Sequence, residues 1–223
     1  MSIYNFPMRW PDNITEAKTI QNTLRKKVKV IPLKKNPMYI AGVDAAFFKN
    51  KVVGVACLYR YPDLILIKDV YAFAEIPFPY IPGFLSFREG PAIIKAINRL
   101  KIKPDVILFD GQGIAHPRGI GIATHIGILL DIPAIGCAKS RLIGEYREPG
   151  FSKGEWSPLN FKNRTVGAVL RTREDVKPLF VSPGHRIDLK DSIRIVLGCT
   201  TRYRIPEPLR RADLISKKII REF

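Results

Sequence analysis

Three β-rich runs, "MYIAGVDAAFF", "KVVGVACLYRY" and "LILIKDVYAFAEI", follow one another with scarcely a break, and the tight polar "KNK" joins the first two. Links this short suit antiparallel neighbours, so the runs read as an antiparallel meander. The hydrophobic period then changes from two to about 3.6. In "GPAIIKAINRLKIK" the residues Ile93, Ile94, Ile97 and Leu100 mark one face of a helix that feeds the apolar strand "DVILFD". A second unit repeats the pattern, with helix "GIGIATHIGILLDI" leading to strand "PAIGCAKS". Right-handed crossovers of this kind add parallel strands beside the meander.

A short helical candidate, "ITEAKTIQNTLRKKV", and the breaker-rich "IPLKKNP" precede the meander. In the last third "RTVGAVLRT" and "PLFVSPG" read as a further strand pair, and "LKDSIRIVLGC" and "PEPLRRADLISKKIIREF" as helices. No internal repeat or low-complexity linker interrupts the 223 residues, 46% of them hydrophobic, so one domain over 1–223 is expected. The expected class is α/β: a ribonuclease-H-like mixed sheet, three antiparallel strands extended by parallel strands, flanked by helices.

Lys and Arg number 37 against 20 Asp and Glu, a formal net charge of +17. Such a surplus repels itself unless a polyanion faces it, and nucleic acid is the first candidate, with an anionic membrane surface as the alternative. No apolar run is long enough for a signal or a membrane span, which points to a soluble, cytoplasmic protein; a monomer with no membrane partner is expected. Cys57, Cys137 and Cys199 are odd in number, widely spaced and set in apolar context, so buried reduced thiols are expected rather than disulfides or a zinc site. Only two glutamines accompany abundant Lys, Arg, Pro and Ile, a composition that leans towards a heat-adapted source.

Against this background a few acids stand out. Asp44 interrupts the apolar "YIAGVDAAF", where an unpaired charge is costly to bury. Asp110 sits where "DVILFD" ends and the glycine-rich "GQGIAHPRGIG" begins, the place where open α/β sheets hold ligands. If their strands are neighbours, the two carboxylates need a shared proton or a cation, and hard oxygen donors in basic surroundings suit Mg2+ or Mn2+. Glu89 is a third candidate. Ser86 to Glu89 also fits a capping box, but Pro91 prefers a first helical position and would start the helix after Glu89. Asp213 in "LRRADLISKK" has the local look of an exposed helix acid, while His116 and Lys139 would face the same sheet edge as Asp110. The glycine loop lacks a G-K-[ST] ending, so no nucleoside triphosphate site is expected.

Taken together, "GVDAAF", "PYIPGFLSFREGP", "PDVILFDGQGIAHPRGIGIATHIG", "PAIGCAKSRL" and "RIPEPLRRAD", which span residues 40 to 215 in order, resemble endonuclease V, the repair nuclease of deaminated purines. The resemblance implies Asp44, Glu89 and Asp110 in a metal-dependent centre, Asp213 at the metal, and His116 and Lys139 close to the scissile phosphate. It implies Mg2+, with Mn2+ as a substitute, and hydrolysis of the second phosphodiester bond 3′ to the lesion. "PYIP", presenting Tyr80, Ile81 and Pro82, would be a wedge that fills the stack vacated by a flipped base. Gly83, Leu85, Gly111, Gly113, Ile122, Gly136 and Leu142 would receive that base. The partner implied is DNA containing deaminated bases, with inosine-containing RNA left open. Two other readings stay open as well: another ribonuclease-H-like nuclease, and a non-catalytic nucleic-acid-binding module. The clustered acids speak against a pure binder, since they repel phosphate.

Overall fold

A computed structural model describes residues 10–222. The first nine residues of the stretch read for targeting signals lie outside the described residues. The elements run α1 (Ile14–Arg25), β1 (Tyr39–Phe48), β2 (Lys51–Arg60), β3 (Ile65–Glu75), α2 (Leu85–Ile97), β4 (Val106–Phe109), α3 (Ile122–Leu130) and β5 (Ala134–Ala138), then β6 (Trp156–Phe161), β7 (Arg164–Leu170), β8 (Leu179–His185), α4 (Leu189–Gly198) and α5 (Glu207–Glu222). They form one eight-stranded sheet in the order β3-β2-β1-β4-β5-β8-β7-β6. The first three strands pair antiparallel, and β4 and β5 are added in parallel beside β1. This is the ribonuclease-H-like arrangement, flanked by helices.

The central strands are buried on both faces, as parallel strands covered by crossover helices must be. Along β4, Ile107 and Phe109 pack with Ile93 and Ile97 of α2 and with Ile126 of α3. Val106 and Leu108 face the other way, onto Ile193 and Val196 of α4 and Leu209 of α5. All nine residues of α3 are buried, which explains its weak apolar–polar alternation. Two glycines set how closely helices approach the meander: a Cβ at Gly42 would collide with the backbone of Pro208, and one at Gly54 with the backbone of Ala92. The three cysteines are buried and unpaired. No helix among the described residues is long and apolar enough to cross a membrane.

Two expectations are corrected. α2 does not wait for Pro91 but starts at Leu85, with Phe84 as an N-cap whose side chain makes no capping bond, so neither the capping box nor the proline start is realised. Phe84 and Phe87 pack with Phe78 and Ala17, and this burial holds the first turn in helical form ahead of the proline. Pro91 therefore lies inside the helix, where it has no N–H to give to the carbonyl of Phe87 and the burial of the flanking apolar residues has to outweigh that lost bond. The second difference is β6, a strand not among those expected; it contains Pro158, and its place at the edge of the sheet tolerates the missing donor.

Candidate active site

β1 and β4 run parallel with Val43 opposite Phe109. One residue further along the same register, Asp44 and Asp110 come side by side at the carboxyl end of the sheet. Two residues before each, Gly42 and Leu108 lie against Pro208 and Leu209 of α5, so both acids project towards that helix. From α5 the hydroxyl of Ser216, itself wholly buried, donates to Asp44 Oδ2 at 2.6 Å. Asp213 lies one turn earlier on the same helix, and its Oδ2 is held by Lys217 at 2.7 Å. Glu89 approaches from α2 on the opposite face.

The electrostatics confirm that these groups feel one another. Burial pushes the Asp44 carboxyl up to about 6; the Ser216 hydroxyl counters part of this, while the charges of Asp110 and Asp213 add to it. Glu89 goes up to about 8, again through burial first and then through Asp44 and Asp110. Lys139, at the end of β5, bonds Asp110 Oδ2 at 2.5 Å. Burial alone would favour its neutral amine, but the bond to Asp110 and the charges of Asp110, Asp213 and Asp44 outweigh this and hold the ammonium.

As the side chains stand, no three acidic, histidine or cysteine groups among the described residues are close enough to share one ion. Lys139, Ser216 and Lys217 each hold an oxygen of Asp110, Asp44 and Asp213. Glu89 makes no side-chain hydrogen bond among the described residues, and its pKa is raised first by burial and then by the acids beside it. An all-oxygen set under this mutual repulsion fits a hard divalent cation, because a cation removes the repulsion that otherwise retains protons.

His116 is held by backbone groups on both sides of its ring. Its Nε2 donates to the carbonyl of Gly83 at 3.0 Å, and its Nδ1 accepts from the backbone N–H of Arg118 at 3.2 Å. Burial, and then the charge of Arg118, brings its pKa down to about 4, so the ring is neutral near pH 7. Nε2 thus ties the "PYIPG" loop to the glycine loop after Asp110, while Nδ1 braces the glycine loop itself. Arg118 and Gln21 bond the carbonyl of Gly83 as well.

Beside the acids opens a cavity of about 390 Å³. Tyr80, Ile81, Pro82, Gly83, Leu85, Gly111, Ile122 and Leu142 line it, together with Asp110, His116 and Lys139. Tyr80 is 70% exposed, as a side chain offered to a partner would be. Gly113 and Gly136 do not line it. They belong to a seam of backbone on backbone, where a Cβ at Gly136 would strike Gly113 and one at Gly113 would strike Pro183. Ser86, Gln112, Ser140 and Arg141 do line the cavity and were missed. Ser86 was hidden by its fit to a capping box, and the others carry no local signal. A second cavity, of about 420 Å³, lies around Pro104, Asp105 and Pro133, at the starts of β4 and β5 and away from the acids.

A family model, Endonuclease V, matches residues 22–214. An endonuclease V from Dictyoglomus turgidum is 50% identical over 92% of this chain and 90% of its own. The crystal structure of the endonuclease V from Streptomyces avermitilis superposes with a TM-score of 0.92 at 38% identity, covering 97% of both chains. That of Ciona intestinalis endonuclease V, in complex with a 24mer DNA containing an inosine followed by a ribo-adenosine, superposes with a TM-score of 0.83 at 30% identity, over 93% of this chain and 98% of that one.

Proposed function

Since this chain belongs to the endonuclease V family, we propose that it is an endonuclease that recognises hypoxanthine in nucleic acid and nicks the strand at the second phosphodiester bond 3′ to it, acting in the cytoplasm as the first step of DNA repair. Members of the family are generally metal-dependent nucleases. The observation that carries the reading is the convergence of Asp44, Glu89, Asp110 and Asp213 at the carboxyl end of the sheet, next to a cavity rimmed by Lys139 and the exposed Tyr80. Inosine-containing DNA as a ligand is supported by the complex of the Ciona relative.

In this reading Asp44, Asp110, Glu89 and Asp213 hold Mg2+, or Mn2+ in its place. A divalent ion bound there supplies Lewis-acid stabilisation of the phosphate and activates water for an in-line displacement. The P–O3′ bond breaks, leaving a 3′-hydroxyl on one side and a 5′-phosphate on the other. Lys139 gives up its bond to Asp110 and places its ammonium against the charge growing on the phosphate oxygens. His116 keeps the base-side loop in register with Asp110. The "PYIP" turn, with Tyr80 outermost, fills the gap in the stack while the damaged base occupies the cavity.

A doubly end-labelled strand with a single inosine tests this, in matched DNA and RNA versions with Mg2+. The expected product is a nick one nucleotide beyond the inosine, carrying 3′-hydroxyl and 5′-phosphate ends. Asp110→Asn should give no product yet still bind the inosine strand in Ca2+. Cleavage that survives exhaustive chelation, or wild-type turnover by Asp110→Asn, overturns the metal assignment.

A further inference from the structure

Behind the cavity lies a polar pair that the mechanism above does not use. Ser86, in the first turn of α2, lines the cavity and is 2% exposed. Its Oγ is 2.7 Å from Nδ1 of His125, a wholly buried residue of α3. The other ring nitrogen, Nε2, is buried and has no hydrogen-bond partner among the described residues. Phe87 and Trp10 pack around the ring. Burial drives the His125 pKa down to about 3, so the ring is neutral near pH 7 and carries one proton.

That proton has two places to sit. On Nε2 it would be a buried donor with no acceptor, and the Ser86 proton would be used on Nδ1. On Nδ1 it is donated to Ser86 Oγ, and what remains unpaired is an acceptor. Orphaned buried N–H groups are the rarer defect, so the Nδ1–H form is favoured. In that form the serine oxygen receives a hydrogen bond from behind and its own proton is free to point into the cavity.

On the base-cavity reading given above, we propose that Ser86, oriented by His125, donates a hydrogen bond to the 6-oxo group of the base in the cavity and thereby selects oxo over amino purines. Adenine presents an amino donor at that position. Donor would meet donor, and both would be left unsatisfied in a desolvated site, which is the costly outcome. Guanine also carries a 6-oxo group, so its exclusion belongs to contacts at its 2-amino group.

Binding is measured by fluorescence anisotropy in Ca2+ with single strands carrying inosine, adenosine or nebularine, the last a purine with no substituent at position 6. Single strands remove the cost of flipping. Wild type should hold inosine more tightly than nebularine. Ser86→Ala should lose roughly tenfold on inosine and nothing on nebularine, in keeping with one lost hydrogen bond. Equal losses on both would mark Ser86 as structural and overturn the proposal, as would a wild type that does not distinguish the two. A wild type that fails to separate inosine from adenosine would instead sink the base-cavity reading itself. Nitrogen NMR of the wild-type imidazoles gives a check that needs no variant: His125 should carry its proton on Nδ1, and an Nε2–H ring overturns the assignment.

Discussion

Glu89 shows how one buried acid couples the site to the stability of the protein. Its carboxyl is raised from 4.5 to about 8 by burial and by Asp44 and Asp110. A folded-state pKa above the unfolded one means that the folded state binds the proton more tightly. The stabilisation is complete below the unfolded pKa and is lost as pH climbs through about 8. Without divalent ions, the melting temperature of the wild type should therefore fall between about pH 5 and pH 8, and Glu89→Gln should flatten that fall. Adding Mg2+ at the upper end should restore more stability to the wild type than to the variant, since an ion held by the folded state alone stabilises it by mass action. Tyr80 makes the complementary residue-scale case, because at 70% exposed it contributes little to the core. Tyr80→Ala should leave the melting temperature unchanged and weaken binding to an inosine duplex by about 1–3 kcal/mol, with a smaller loss on single strands. Titrations of both substrates in Ca2+ measure this.

At the scale of elements, α5 is the part that completes the acid cluster. It reaches β1 because Gly42 leaves room for the backbone of Pro208, and it brings Asp213 and Ser216 to Asp44. Gly42→Ala forces helix and strand apart and should cost about 1–3 kcal/mol of stability, as overpacking does. It should also weaken ion binding, although it touches none of the four acids. Ser216→Ala separates the two effects: the helix stays seated while Asp44 loses the group that fixes its Oδ2. Mn2+ affinity by calorimetry should then drop by roughly tenfold or more, the usual cost of losing a group that orients a ligand, and Ser216→Thr should restore most of it. An unchanged affinity in Ser216→Ala would assign that hydroxyl to helix packing alone. α2 teaches a related lesson. Pro91 pointed to a later start, but the Phe78, Phe84 and Phe87 cluster outweighed the local preference and wound Glu89 into the helix.

For the whole molecule, the net charge of +17 is the dominant long-range property. Part of it is organised at the site: Arg204 donates to the carbonyl of Lys139 at 2.8 Å, and Arg141 lines the cavity. A surface of this kind should bind undamaged strands through counterion release, with affinity falling by about 10³-fold or more between 50 and 200 mM salt if about six phosphates are neutralised. Contacts in the base cavity are not of that kind. The ratio of inosine to undamaged affinity should therefore change far less over the same range, which salt titrations of the two strands measure directly. A ratio that collapses with salt would mean that discrimination is electrostatic and that the cavity reads nothing.

What the sequence determined by itself was whatever burial writes into local order. The change of hydrophobic period between the meander and the two helix–strand units carried the order of strands and helices, because strands and crossover helices expose apolar side chains at different intervals. Asp44 and Asp110 were legible for the same reason: each is a charge set in or against a run that has no other use for one. Glu89 and Lys139 were candidates from their places beside Pro91 and at a strand end, and the motif resemblance gave them roles; Asp213 came from the resemblance, since nothing local sets it apart from an exposed helix acid. Only the tertiary structure decided what distant residues do to one another. Ser216 bonds Asp44 across 172 positions and Ser86 meets His125 across 39, and no periodicity records either pairing. It also drew His116 onto backbone groups and placed Gly113 and Gly136 in a seam rather than a pocket. A residue's type limits the chemistry it can perform, but its partners are set by packing, and packing depends on chain segments that local order does not connect.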